Sequence, residues 1–262
     1  MARKTASTDA SVVQNAVKTL YTNIQFAGID KRIQSIVLTS SIPNEGKTTI
    51  ARQLGAVIAR GDKRVLLVEC DMRRRSLADL LGVHARHGLY AVLSGQVSLE
   101  DAVVSTRQLG TTLYFLDAEP HIVNPADILS SNRFKRLMET MEQTFDCIIF
   151  DTPPVGTFVD AAIIAALADA TVLVVRENYA RRADVLSSYD QLKKADANIV
   201  GVTLNYCKER QNEYYYSYYH KDDGPVEHAL KSNRMLLSEG AAEIPPQRAQ
   251  AQQKPRGSRF KQ

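Results

Sequence analysis

"SSIPNEGKTT" (residues 40–49) decides how the chain is read. The general phosphate-loop pattern, G-x-x-x-x-G-K-[ST], sits between the end of a strand and the start of a helix. Gly46, Lys47 and Thr48 satisfy its second half, while Ser41 stands where the first glycine is usual. That glycine supplies a permissive backbone, whereas the N–H groups nearest to phosphate come from the second half. Asn44 helps, because asparagine tolerates left-handed backbone geometry better than most residues. Upstream, "IQSIVLTS" (33–40) reads as a strand, and a helical pattern follows from about Lys47 to Arg60. Both required flanks are present. Backbone N–H groups and the helix dipole at such a start surround phosphate oxygens. Lys47 is placed to reach the β and γ phosphates, and Thr48 to bring its hydroxyl to Mg²⁺. The expected nucleotide contacts are Asn44, Glu45, Gly46, Lys47, Thr48 and Thr49.

Working outward, "RVLLVECD" (64–71) and "FDCIIFDTPP" (145–154) are apolar runs without polar alternation. Such runs fit strands covered on both faces, as in a parallel sheet. The first ends in Glu69 and Asp71, the second in Asp151. Ligands of open α/β sheets gather outside the carboxyl ends of the strands, so these acids are expected near the loop. Acids there hold Mg²⁺ directly or through water. For Glu69, a solvated or salt-bridged acid competes with a functional one. Further strands are expected at 111–118, 170–176 and 198–205, with short helical pieces at 76–81 and 98–104 and a longer helix at 124–141. The alternation implies a P-loop-type α/β fold: a mostly parallel open sheet with helices on both faces.

The remaining composition narrows the class. The net charge of +4 is local: residues 248–262 carry five basic residues and no acid, leaving −1 for the rest. A basic face suited to nucleic acid is therefore not expected. Cys70 and Cys147 lie in or beside apolar runs and read as buried thiols of a cytosolic protein. The opening "MARKTASTDASVV" is polar, unlike a signal peptide. The apolar stretch 161–175 is interrupted by Asp169 and is shorter than the ~20 residues a span needs. It reads as a helix and then a strand. The expected organisation is an N-terminal helical segment (1–32), a nucleotide-binding domain (33–206), a tyrosine-rich segment (207–219) and a disordered basic tail (220–262).

Together these stretches resemble the bacterial tyrosine kinases of capsule and exopolysaccharide synthesis, in the form whose cytoplasmic kinase is separate from its membrane activator. "SSIPNEGKTT" resembles their Walker A loop, "VLLVECDMR" their Walker A′ motif and "IIFDTPP" their Walker B motif. The similarity runs through "GLYAVLSGQVSLEDAV" (88–103) and "NPADILSSNRF" (124–134). It implies ATP and Mg²⁺ as cofactors, with Lys47 and Thr48 on phosphate and metal. Asp71 becomes the Walker A′ acid, ordering metal or accepting the tyrosine proton, and Asp151 the Walker B acid. Asn205 resembles the asparagine that faces adenine. An integral membrane activator and a homo-oligomer are implied as partners, with cytoplasmic location and membrane association through the activator. The chain departs from the pattern at Glu69, where aspartate is common, at Arg75, where proline is usual, and at Asn15, Lys18 and Tyr21, in place of E-x-x-R-x-x-R.

"EYYYSYYH" gathers Tyr214, Tyr215, Tyr216, Tyr218 and Tyr219 beyond the last expected strand, without an apolar pattern around them. They are the expected phosphate acceptors, entering the site of a neighbouring subunit. Two alternatives share the motifs. One is a partition or positioning ATPase of the ParA/MinD-like type, the other a non-catalytic nucleotide-dependent scaffold. Against the first stand the tyrosine cluster and Ser41-Ile42, where such ATPases carry lysine-glycine.

Overall fold

Apolar strands that lack alternation need cover on both faces, and the fold provides it. A computed structural model describes residues 2–28, 32–120 and 122–207, with side chains from Ser11 onward. Helix α1 (Ala2–Ala27) leads to β1 (Ser35–Ser40), α2 (Lys47–Ala59) and β2 (Val65–Glu69). Short helices α3 (Leu77–Leu81), α4 (Leu89–Leu93) and α5 (Leu99–Ala102) precede the hairpin of β3 (Val104–Gln108) and β4 (Thr111–Leu116). Then come α6 (Pro125–Leu129), α7 (Asn132–Thr144), β5 (Cys147–Asp151), α8 (Asp160–Ala165), β6 (Ala170–Arg176), α9 (Arg182–Lys194) and β7 (Ile199–Asn205).

The seven strands form one sheet in the order β3-β4-β2-β5-β1-β6-β7. Every pairing is parallel except β3 with β4. Side chains alternate between two apolar layers: Ile36 and Leu38 of β1 join Leu54, Leu67 and Ile149 under α2, while Val37 joins Leu66, Phe150 and Phe134 on the opposite face. The connection from β1 passes over β5 to β2, and that from β5 passes over β1 to β6. Right-handed crossovers in opposite directions put α2 and α8 on opposite faces. The divergence lies between the carboxyl ends of β1 and β5, where ligands of such sheets bind.

Most sequence expectations hold, with local corrections. β3 is a seventh strand absent from the sequence reading, because "VSTRQ" is polar and forms an antiparallel edge rather than an apolar run. The expected helix 124–141 is two helices, since the Ser131 side chain accepts from Phe134 N and starts α7 anew. Helix α4 was not expected either; the Glu119 carboxylate accepts Gly88 N, Tyr90 N and Ala91 N and so fixes its start. Cys70 and Cys147 are buried, as expected. In α1, Val17 and Ile24 face the core, Asn15 and Lys18 are exposed, and the Tyr21 hydroxyl accepts from Lys63 Nζ at 2.7 Å. No helix among the described residues is long and apolar enough to cross a membrane. Tyr214, Tyr215, Tyr216, Tyr218 and Tyr219 lie outside the described residues, as does the tail 220–262.

Candidate active site

Two loops at the carboxyl end of the sheet enclose a cavity of about 360 Å³. The first, between β1 and α2, turns through two left-handed residues, Asn44 (φ 64°) and Gly46 (φ 91°). Asn44 does what its residue type allows. At Gly46 a Cβ would also overlap Asn205 Nδ2, so glycine is required twice over. The Glu45 carboxylate is buried and accepts Ile42 N (2.9 Å) and Arg176 N (3.0 Å), which ties the loop to β6. Asn205 Nδ2 donates to Glu45 O at 2.9 Å. The loop is thus shaped from beneath and from the side.

Asn44, Gly46, Lys47, Thr48, Thr49 and Asp71 line the cavity. Asp151 lies beneath it, buried, with Oδ1 lacking a hydrogen-bond partner among the described residues. Glu45 and Asn205 are held by protein groups and do not line the cavity. The sequence reading missed Arg73, Arg74, Ser76, Phe158, Arg176 and Tyr206, which complete the wall together with Pro43 and Pro154. "MRRRS" directly after Asp71 was an available signal for the first three. Tyr206 and Arg176 carried none, since they reach the loop from parts of the chain remote in sequence: Arg176 ends β6, beside β1, and Tyr206 follows the edge strand β7. Arg176 stacks on Tyr179 and Tyr206 at 4.6 and 4.4 Å.

The second loop, between β2 and α3, is organised by Glu69. This residue is fully buried and joins no salt bridge among the described residues, which removes the solvated or salt-bridged alternative that the sequence left open. Its oxygens accept Asp71 N, Ser76 N and Leu77 N, each at 3.0 Å, closing the loop and capping α3. Glu69 sits in register with Asp151 on the neighbouring strand. Burial, and then the facing Asp151 carboxylate, push Glu69 well above the usual carboxylate range. Burial likewise raises Asp151, opposed by the Thr48 hydroxyl and the Lys47 ammonium. Asp71 is raised by burial, against Arg74 N, Lys47 and Arg73.

No group of three or more His, Cys, Asp or Glu side chains among the described residues could hold a metal unaided. The donors do fit magnesium arriving with a nucleotide. Mg²⁺ keeps several waters and uses one or two carboxylates plus phosphate oxygens. The Thr48 hydroxyl, Asp71 and the unpartnered Asp151 Oδ1 are of that kind.

A family model described as an AAA domain matches residues 33–199. The tyrosine-protein kinase YwqD of Bacillus subtilis (strain 168) is 32% identical over 206 residues, covering 79% of this chain and 86% of that protein. The chain belongs to the bacterial tyrosine-protein kinases. Other kinases of the family are longer: the match to the tyrosine-protein kinase etk of Escherichia coli (strain K12) covers 76% of this chain and 27% of that protein. The kinase domain of that enzyme, as a solved structure, superimposes with a TM-score of 0.71 at 30% identity, covering 75% of this chain and 76% of its own. The septum site-determining protein MinD from Pyrococcus horikoshii, solved with Mg-ADP, gives 0.56 at 24% identity, covering 76% of each chain. That likeness is one of fold.

Proposed function

We propose that the chain is an ATP-dependent autokinase that transfers phosphate to Tyr214, Tyr215, Tyr216, Tyr218 and Tyr219 of a neighbouring copy. In this reading it serves capsule or exopolysaccharide synthesis from the cytoplasm, brought to the membrane by an integral activator. The single observation that carries it is a cavity lined by Lys47, Thr48 and Asp71 over a buried Asp151, in a chain of the tyrosine-protein kinase family.

ATP with Mg²⁺ is the expected substrate, and the ion would neutralise phosphate charge when bound. Lys47 stands over the helix start to offset charge on the β and γ phosphates, while the N–H groups of 44–49 receive their oxygens. Asp71, raised by burial, is a stronger proton acceptor than an ordinary aspartate. The phenol oxygen bonds to the γ phosphorus, the bond from that phosphorus to the bridging oxygen breaks, and ADP leaves with the electron pair. The phenolic proton passes to Asp71. A loose transition state needs little nucleophilic push, so positioning and charge neutralisation dominate.

Transfer between subunits is tested by mixing a Lys47→Met chain with a chain truncated after residue 210, then adding ATP and Mg²⁺. Phosphotyrosine on the Lys47→Met chain is the expected result. Its absence, while the wild-type chain modifies itself, shows transfer within one subunit.

A further inference from the structure

We infer that Asp160 is a positioning residue that holds the Arg73 guanidinium at the cavity wall, where it meets charge on the transferred phosphoryl group. Asp160 opens α8 and is completely buried among Ala161, Ala162 and Ile164, all buried themselves. A carboxylate is costly there unless paired. Its partner comes from a different part of the chain: Arg73 Nη1 donates to Asp160 Oδ2 at 2.5 Å. The guanidinium also lies over the Phe158 ring at 4.1 Å. An ion pair at one end and a stacked face together fix the plane of the fork, which a lysine could not reproduce.

Arg73 is not sealed in with its partner. Its side chain keeps 33% of its exposure and lines the cavity beside Lys47, Thr48 and Asp71, and it also favours the ionised form of Asp71. Nη1 is its one guanidinium nitrogen with a hydrogen bond among the described residues. The remaining donors are thus free for a ligand. The other two arginines of the loop have different anchors, Arg74 on Asn44 and Arg75 on Ala118 O and Asp117. Buried ion pairs are weak sources of stability, because well-packed apolar residues do as well or better. A pair that reaches from a buried helix start to an open wall is better explained by aim. Arg73 forms and breaks no bond; it offsets negative charge as the bond from γ phosphorus to the bridging oxygen loosens.

The inference rests on phosphoryl transfer from ATP, so ADP release is measured on the full chain with Mg-ATP, separately from phosphotyrosine. The variants are Asp160→Asn, Arg73→Ala, Arg73→Lys and the double change Asp160→Asn with Arg73→Ala. Expected is a loss in kcat of about 10-fold or more for each single variant, with KM for ATP within about twofold, as for a group acting on the transition state. The double variant should be no slower than Arg73→Ala. Full kcat in Asp160→Asn, or multiplied losses in the double variant, overturns the inference. Should Asp160→Asn fail to fold, Arg73→Lys decides: full kcat there overturns it, and a lost kcat at unchanged KM upholds it. A chain that releases ADP with this pattern yet makes no phosphotyrosine sinks the autokinase reading and leaves the positioning role standing.

Discussion

The two loops of the cavity are built on the same device and differ in what they present. Each is closed by a buried glutamate of its own, Glu45 in the first and Glu69 in the second, accepting backbone N–H groups. The first loop then offers backbone N–H groups and one cation, Lys47. The second offers side chains: Asp71 and two arginines, Arg73 and Arg74, on separate anchors. A phosphate chain has fixed oxygens that suit a fixed backbone cradle. A phosphoryl group in transit spreads charge that adjustable side chains can follow. In the proposed reaction one loop would hold the nucleotide and the other would act on the phosphoryl group in transit.

That contrast can be broken most severely at Gly46. Gly46→Ala forces a Cβ into Asn205 and a left-handed residue without glycine. Nucleotide affinity should fall by about 100-fold or more, since one such residue costs about 1–2 kcal/mol before any overlap. Titration calorimetry with ADP reads the change, and affinity near wild type contradicts the loop's geometry.

Glu69→Ala comes next. It strands three N–H groups at a buried site, each costing about 1–3 kcal/mol when unpaired. Urea unfolding should lose about 3 kcal/mol or more. A loss confined to activity, with stability intact, would return Glu69 to the role of a metal acid.

The pH dependence is subtler. Glu69 and Asp151 are both raised in the folded chain, mainly by burial. A raised acid means the folded state binds more protons than the unfolded one. Stability of the nucleotide-free protein therefore falls as pH climbs out of the ordinary carboxylate range toward neutrality. Glu69→Gln, which cannot ionise, should flatten that slope in thermal melts between pH 5 and 8, and an unchanged slope counts against a protonated Glu69.

The smallest expected effect joins the loops. Arg74 Nη1 donates to Asn44 Oδ1 at 3.0 Å in an exposed setting. Arg74→Ala should weaken ADP binding by about 1 kcal/mol or less. A tenfold or greater loss would mean that the first loop depends on the second.

Sequence carried the parts of this site that are local. "GKTT" announces a helix start, and apolar runs ending in acids announce strand tips, because both depend on neighbours a few residues away. Glu69 stays open between two readings in the sequence, because its burial depends on Asp151 in register from another strand and on a loop that returns at Ser76. Asn205 reaches Glu45 across 160 positions, so no spacing rule could show that its amide shapes the loop. Asp160 carries no signal of its own in the sequence; only the packing of α8 against Arg73 reveals its partner. Polar β3 and the break at Ser131 were hidden because an edge strand and a mid-run serine cap leave no apolar signature.

The central claim is that this cavity moves phosphate from ATP to a phenol. Mass-spectrometric mapping of the wild-type chain after incubation with ATP and Mg²⁺, beside a Lys47→Met control, tests it most directly. Phosphate on tyrosines within 214–219 in the wild type alone is the predicted result. ATP turned over by the wild type with every one of those tyrosines unmodified would contradict it.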